Sequence, residues 1–234
     1  MPARDRPSSA AASPLRLVVL ASGRGSNLRA ILEARRRGEL QADVVGVLSD
    51  KAGAPALAIA REAGIAAAAL DPRAFADRAA FDAALFARVA GFAPDLVVLA
   101  GYMRILDAAA LSPWIGRLLN IHPSLLPKYP GLHTHRRALE AGDREHGASV
   151  HFVTAELDGG PVIARTRIAV EADDTAETLA ARLLPLEHRL YVDVLALAAS
   201  ARLGWRDGRP MLDGRPLTTP LCHDGQSSFI DARA

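Results

Sequence analysis

The sequence has little cysteine, few aromatic residues and almost no net charge, and each shortage excludes a class of protein. Cys222 is the single cysteine among 234 residues, so the chain can form no internal disulfide and no multi-cysteine metal site. That usage suits a reducing compartment, and we expect a cytoplasmic protein. Lysine plus arginine number 28 against 26 for aspartate plus glutamate, a balance that argues against nucleic acid or a membrane surface as a partner.

Long hydrophobic runs are also missing. No stretch reaches the roughly 18 apolar residues of a membrane span, and MPARDRPSSAAASP at the N-terminus lacks the apolar core of a secretory signal. We expect residues 1–14 to be a disordered leader, with an organellar transit peptide as the alternative. Hydrophobic residues nevertheless make up 50% of the chain, which is enough to bury the core of one substantial domain.

Strand and helix patterns alternate through the first half of the chain. The apolar run LRLVVLA from Leu15 indicates a buried strand, and NLRAILEARRRGEL indicates a helix that ends near Gly38. Further strands are predicted at 44–48, 65–70 and 95–100, and further helices at 55–63 and 75–89. This alternation predicts an α/β protein with a doubly wound, mostly parallel sheet and helices on both faces.

The second half departs from that pattern. Prolines follow the apolar strand that ends near Ile121, so we predict a long irregular loop there, of the kind that usually carries function. Segments 147–154 and 160–170 predict an antiparallel pair added to the sheet, and 175–203 an amphipathic helix. We expect a catalytic domain over 15–203 and a tail over 204–234, in which two Asp-Gly turns predict a surface hairpin.

The turn between the first strand and the first helix is a candidate anion site. In Ser22–Asn27 the glycines allow a ligand to approach the backbone, and the free amides at a helix N-terminus attract phosphate. The dinucleotide fingerprint would need glycine where Leu28 stands, and the lysine of a Walker loop is absent. The alternative is a tight turn in which Asn27 or Ser26 caps the helix.

Two further positions are candidates for catalysis. Asn120 and His122 are two residues apart at a predicted strand end, so both side chains lie on one face, where open α/β sheets bind ligands. Asp158, in front of two glycines, could orient the ring of His122 and favour its charged form. Structural roles are the alternatives: a core histidine and a turn-forming aspartate. His133, His135 and His151 match no metal-binding pattern.

Four segments in this order carry a resemblance to a known family. LASGRGSNLRAI, LAGYMRIL, the long string LLNIHPSLLPKYPGLHTHRRALEAGDREHGASVHFV and ELDGGPVI together resemble the phosphoribosylglycinamide formyltransferases, folate-dependent enzymes of purine synthesis. The resemblance spans Leu15 to the tail and implies the Rossmann-like formyltransferase fold. It also implies transfer of a formyl group from 10-formyltetrahydrofolate to the amine of glycinamide ribonucleotide, without a metal.

The resemblance assigns roles to individual residues of this chain. It makes Asn120, His122 and Asp158 catalytic, and it places the substrate phosphate at Gly25, Ser26 and Asn27. Its other implied contacts are Glu187 for the glycinamide substrate and, for folate, Arg78, Met103, Arg104, Ile105, Leu106 and again Asn120. The partners expected are therefore small molecules, and the protein is expected to be a monomer or a homodimer.

Three other functions are weighed against this one. Methionyl-tRNA formyltransferase resembles this chain in its Asn-x-His and aspartate, and formyltetrahydrofolate deformylase is a hydrolase that also acts on a formyl-folate, but each needs a further domain. The third is a non-catalytic phosphate-binding module, in which Asn120 and His122 would be structural. One departure concerns Leu184, Pro185 and Leu186, which precede Glu187 where polar residues are more usual in the family, so contacts on the ribose side are less defined.

Overall fold

The structure is a computed structural model that describes residues 13–225 and 229–230. The strands are β1 Leu15–Leu20, β2 Ala42–Ser49, β3 Ala67–Ala69, β4 Leu96–Leu99, β5 Leu118–His122, β6 Glu145–Phe152, β7 Val162–Ala169, β8 Leu203–Arg206, β9 Arg209–Leu212, β10 Arg215–Pro216, β11 Leu221–His223 and β12 Phe229–Ile230. The helices are α1 Ser26–Arg36, α2 Pro55–Glu62, α3 Arg78–Gly91, α4 Ala108–Leu111, α5 Thr134–Glu140 and α6 Ala176–Ala199.

One large mixed sheet organises the fold. Its strand order is β12-β11-β7-β6-β5-β4-β1-β2-β3. The strands from β5 to β3 run parallel, whereas β6 is antiparallel to both β5 and β7. The predicted doubly wound sheet and its antiparallel addition are thereby confirmed.

Helices cover both faces because the strands present apolar side chains to both. On β1, Leu17 and Val19 pack into the core under α1, α2 and α6, while Val18 and Leu20 pack into the core under α3 and α4. This alternation follows from the two-residue period of a strand. The carboxyl ends of β1, β4 and β5 consequently meet at one edge of the sheet, between the two helical layers.

The chain between β5 and β6 contains a helix that the sequence analysis missed. The irregular loop extends from Pro123 to His133, and α5 then begins at Thr134. Its signals are weak because it is only seven residues long and follows His133, whose φ of 60° is left-handed. Thr134 and Ala138, one helical turn apart, are both buried, so packing against the rest of the protein stabilises this short helix.

The C-terminal part also differs from its prediction. The last helix ends at Ala199 rather than 203, since Ala201 takes a left-handed φ of 58° and Leu203 begins β8. The two Asp-Gly turns join three strands, β8, β9 and β10, into a small separate sheet instead of a single hairpin. Beyond it β11 pairs in parallel with β7, so the tail returns to the main sheet.

The sequence predicts no membrane span, no metal site and a leader over residues 1–14. Within the described residues, no helix combines the length and apolar character that crossing a membrane requires. The same part of the chain contains no group of three or more His, Cys, Asp or Glu side chains arranged to hold a metal ion. The predicted leader lies outside the described residues except for Ser13 and Pro14.

Candidate active site

Asn120 and His122 project from the last residues of β5, where the sheet changes from parallel to antiparallel. Ile121 between them packs into the opposite core, so the two polar side chains share a face. Asn120 lies opposite Leu99 on β4 and His151 on β6, and His122 lies opposite Ser149. An amide and an imidazole are therefore fixed at the edge where the carboxyl ends of the strands meet.

Asp158 reaches the same place from the segment that connects β6 and β7. Its Oδ2 accepts a hydrogen bond of 2.8 Å from the amide of Gly131 and lies 3.4 Å from Nδ1 of His122. Its Oδ1 lies 3.5 Å from Nδ2 of Asn120. The segment is pressed against β6 at Gly160, where an added Cβ would lie 1.8 Å from the carbonyl oxygen of Phe152.

The ring of His122 is held between two acceptors. Nε2 lies 2.9 Å from the carbonyl oxygen of Tyr129, and Nδ1 faces the Asp158 carboxylate. Burial lowers the pKa of His122 and outweighs the opposing effects of the Tyr129 carbonyl and of Asp158. At neutral pH the ring is therefore mainly uncharged, and a captured proton would find an acceptor at each nitrogen.

Asp158 remains ionised in this environment. Burial tends to raise its pKa, but the neighbouring imidazoles of His151 and His122 and the hydrogen bond from the Gly131 amide outweigh it, so the pKa lies below its usual value. A buried carboxylate next to a histidine fixes the orientation of the ring and stabilises its protonated form. His122 can thus take up one proton and hold it as an ion pair with Asp158.

His151 is a further member of the site. From the sequence it was noted only as a histidine that matches no metal-binding pattern. Its Nε2 lies 3.1 Å from Nδ2 of Asn120 and 3.7 Å from Oδ1 of Asp158. Its Nδ1 lies 2.9 Å from the carbonyl oxygen of Phe152, which can only accept, so in the neutral ring Nδ1 donates and Nε2 accepts from the Asn120 amide. His151 thereby orients Asn120.

The predicted anion loop joins β1 to α1. Gly25, the residue before the helix, has a left-handed φ of 75°, and a Cβ there would lie 2.8 Å from Cα of Ala56. Ser26 and Asn27 begin the helix with free amides, because no side chain caps it. Asn27 is buried and its Oδ1 has no hydrogen-bond partner among the described residues. The predicted cap at Ser26 or Asn27 is therefore absent.

Glu187 lies on α6, which packs against α1, and is only 8% exposed. Burial raises its pKa to about 7, against the opposing effect of the Arg24 charge. Neither carboxylate oxygen has a hydrogen-bond partner in the part of the chain that the structure describes. An ionisable group in this state is suited to receive hydroxyl or amine donors from a ligand.

Apart from Asn120, the residues that the resemblance assigns to folate occupy the segment between β4 and α4 and the start of α3. Met103 and Ile105 are exposed, Leu106 is buried, and the Met103 amide donates to the hydroxyl of Ser22 at 2.9 Å. The guanidinium of Arg104 lies 4.9 Å from the ring centre of Phe81 and borders a cleft of about 430 Å³. Arg78, the first residue of α3, is exposed.

Asp82 links these folate positions and was not found from the sequence. It is completely buried on α3, and its Oδ2 accepts a 2.7 Å hydrogen bond from the amide of Asp107. Burial raises the pKa of Asp82, whereas that amide and the charges of Arg104 and Arg78 oppose the rise. Asp82 therefore fixes the end of the segment 103–107, with both arginines within electrostatic reach.

Comparison with known proteins places the chain among formyl transferases. The family model described as formyl transferase matches residues 15–195. The phosphoribosylglycinamide formyltransferase of Escherichia coli (strain K12) is 52% identical over 203 residues, covering 87% of this chain and 96% of the relative. That of Haemophilus influenzae is 40% identical and covers 86% and 95%. The solved phosphoribosylglycinamide formyltransferase of Coxiella burnetii superposes with a TM-score of 0.84 at 45% identity, covering 88% and 96%.

Proposed function

This chain belongs to the formyl transferase family, and we propose that it transfers the formyl group of 10-formyltetrahydrofolate to the amine of glycinamide ribonucleotide. The products are formylglycinamide ribonucleotide and tetrahydrofolate, a step of purine biosynthesis. The observation that carries the proposal is the convergence of Asn120, His122 and Asp158 at the sheet edge that also bears the anion loop.

Asn120 is suited to stabilise the negative charge that develops on the formyl oxygen. When the substrate amine attacks the formyl carbon, the C–N bond forms and the carbonyl electron pair moves to oxygen. One hydrogen of the Asn120 amide is held by His151 at 3.1 Å, whereas the contact with Asp158 is long, at 3.5 Å. The second hydrogen can therefore turn to the new oxyanion at little cost.

His122 is suited to move the proton. The attacking nitrogen becomes positively charged and must lose a proton, and the folate nitrogen must gain one as its bond to the formyl carbon breaks. A neutral His122 can accept the first proton, directly or through a water, and return it to the leaving nitrogen. Asp158 balances the charge in between, and Nε2 must exchange the Tyr129 carbonyl for the substrate.

The two substrates fit different parts of the site. The free amides at Ser26 and Asn27 suit a phosphate, and the buried Glu187 suits the donors of the glycinamide ribonucleotide. The apolar side chains of Met103, Ile105 and Leu106 suit the rings of folate, and Arg78 and Arg104 suit its carboxylates. No metal enters these steps, and each is carried by a side chain or backbone amide of the protein.

We also infer the cellular setting and the partners of the protein. We infer that it is a monomer or a homodimer. The single cysteine and the balanced charge support a cytoplasmic enzyme with small-molecule partners and no nucleic acid.

Turnover by the purified full chain tests the proposal. The protein is mixed with 10-formyltetrahydrofolate and glycinamide ribonucleotide, and tetrahydrofolate is followed by absorbance and formylglycinamide ribonucleotide by mass spectrometry. We expect both products in equal amounts and only when both substrates are present. Release of formate without the amine substrate would indicate a hydrolase, and binding without turnover would indicate a non-catalytic module.

A further inference from the structure

Arg24 is an exposed arginine in the middle of the anion loop. The backbone on either side of it is fixed: the amide of Ala56 donates to the Gly23 carbonyl at 3.2 Å, and the amide of Ser22 donates to the Gly101 carbonyl at 3.0 Å. Gly25 follows in a conformation with no room for a Cβ. The Arg24 side chain therefore leaves a well-defined point of the loop, directly before the N-terminus of α1.

The guanidinium of Arg24 has no partner within the described part of the chain. It makes no hydrogen bond there, and no carboxylate lies within 4.0 Å of it. By contrast, Arg189 on α6 pairs with Asp193 at 2.9 Å. The charge of Arg24 nevertheless lowers the pKa of Glu187, so the two groups lie close enough to interact across the space between α1 and α6.

Three polar groups around this space lack partners within the protein. They are the Arg24 guanidinium, the buried Oδ1 of Asn27 and the buried carboxyl of Glu187, and they adjoin the free amides of the eleven-residue helix α1. Buried polar side chains without hydrogen-bond partners are costly, so Asn27 and Glu187 beside the exposed Arg24 point to a ligand that supplies the missing hydrogen bonds. A cation and free amides suit an anion, whereas a carboxylate and an amide oxygen suit hydroxyl donors.

We propose that Arg24 is a further substrate-binding residue, whose guanidinium pairs with the phosphate of the ribonucleotide while Glu187 and Asn27 receive donors from its sugar and amide part. The inference rests on the proposed function and deepens it. A planar guanidinium offers two parallel hydrogen bonds to phosphate oxygens, which helix amides alone cannot provide. Leu184 and Leu186, which precede Glu187 on α6, offer no cation for this purpose, and Arg24 supplies one from the opposite side.

Binding of the substrate with and without its phosphate tests the proposal. Wild type and the variants Arg24→Gln and Arg24→Lys are compared, as full chains, by calorimetric titration with glycinamide ribonucleotide. The corresponding riboside, which lacks the phosphate, is measured as a competitive inhibitor. We expect Arg24→Gln to weaken ribonucleotide binding by about 10- to 100-fold, as for loss of a charged hydrogen bond, and to leave the riboside unaffected. Arg24→Lys should retain part of the affinity.

The control is Arg36→Gln, at the other end of α1, where the side chain is also exposed. It should bind both ligands like wild type. Equal weakening of ribonucleotide and riboside by Arg24→Gln would overturn the proposal and leave Arg24 as a counter-charge for Glu187. Unchanged binding of both would overturn it as well. If wild type does not turn over the ribonucleotide at all, the proposed function fails instead, so the two failures are distinguishable.

Discussion

At the scale of single residues, the site depends on buried groups whose protonation is set by their neighbours. His122 is kept neutral by burial, and Asp158 is kept charged by the hydrogen bond from the Gly131 amide and by the neighbouring imidazoles. The distance of 3.4 Å between the His122 ring and the Asp158 carboxylate is short enough for that charge to favour a transient imidazolium. For catalysis, the attraction between His122 and Asp158 must be strong while the ring carries the proton and weak while the ring is neutral.

We therefore expect Asp158→Asn to lower kcat by about 10²- to 10³-fold, as is typical when one electrostatic stabiliser is lost, with little change in folding. The acidic limb of the pH profile should move to lower pH, because Asp158 raises the pKa of His122. Steady-state kinetics between pH 5 and 9 measures both effects. The exposed Asp173→Asn is the control and should behave like wild type. Near-normal turnover in Asp158→Asn would contradict the mechanism.

Glu187 shows the cost of keeping a carboxyl buried for a ligand. Burial raises its pKa from the usual 4.5 to about 7, so the folded state holds its proton to higher pH than the unfolded state does. Stability contributed by this group is complete below pH 4.5 and is lost as pH rises through 7. We expect Glu187→Gln to raise Tm at pH 8 and to weaken ribonucleotide binding there. Thermal unfolding measures the Tm, and calorimetric titration measures ribonucleotide binding. A lower Tm of Glu187→Gln at pH 8 would refute the raised pKa of Glu187.

At the scale of elements, close backbone contacts position the catalytic side chains. The segment that carries Asp158 approaches β6 so closely at Gly160 that a Cβ would lie 1.8 Å from the Phe152 carbonyl oxygen. We expect Gly160→Ala to displace Asp158 and lower kcat at least as much as Asp158→Asn does, with a stability loss of about 1–3 kcal/mol. Gly204→Ala, with open space around the added carbon, is the control. For both variants, steady-state kinetics measures the change in kcat and denaturant unfolding measures the loss of stability.

The elements also show which parts of the site could be predicted from sequence. The two-residue period of a strand is local, so Asn120 and His122 could be placed on one face from their spacing alone. The position of His151 opposite Asn120 depends on the antiparallel register of β5 and β6, which no short pattern specifies. Asp82 was missed for the same reason, since its role arises from a contact with the distant Asp107.

At the scale of the whole molecule, the alternation of strands and helices was sufficient to predict the fold class. The return of the tail was not, because β11 is three residues long and its partner β7 lies more than fifty residues earlier. His223 and Asp193, 2.7 Å apart, secure this strand to α6. The chain thus extends the sheet beyond β7 with a segment for which the sequence pattern predicts no strand in the main sheet.

The whole molecule should also lose stability in mild acid, because it buries imidazoles in neutral form. Burial lowers the pKa of His122, His135, His146 and His188, that of His146 to about 4. Below pH 6.5 the unfolded chain therefore binds protons at these positions that the folded chain does not. Glu187 and Asp82, whose pKa values burial raises, act in the opposite direction, but they are two groups against four.

The free energy of unfolding should therefore fall as pH decreases from 6.5 towards 4. We expect His146 to be a principal cause, because its pKa is lowered to about 4. Urea unfolding at intervals of pH measures the dependence. We expect His146→Gln, which cannot take up a proton, to have a flatter profile than wild type, with the two curves closest in shape above pH 7. The exposed His133→Gln should keep the wild-type slope. A profile for His146→Gln as steep as that of wild type would mean that other groups drive the acid unfolding of this fold.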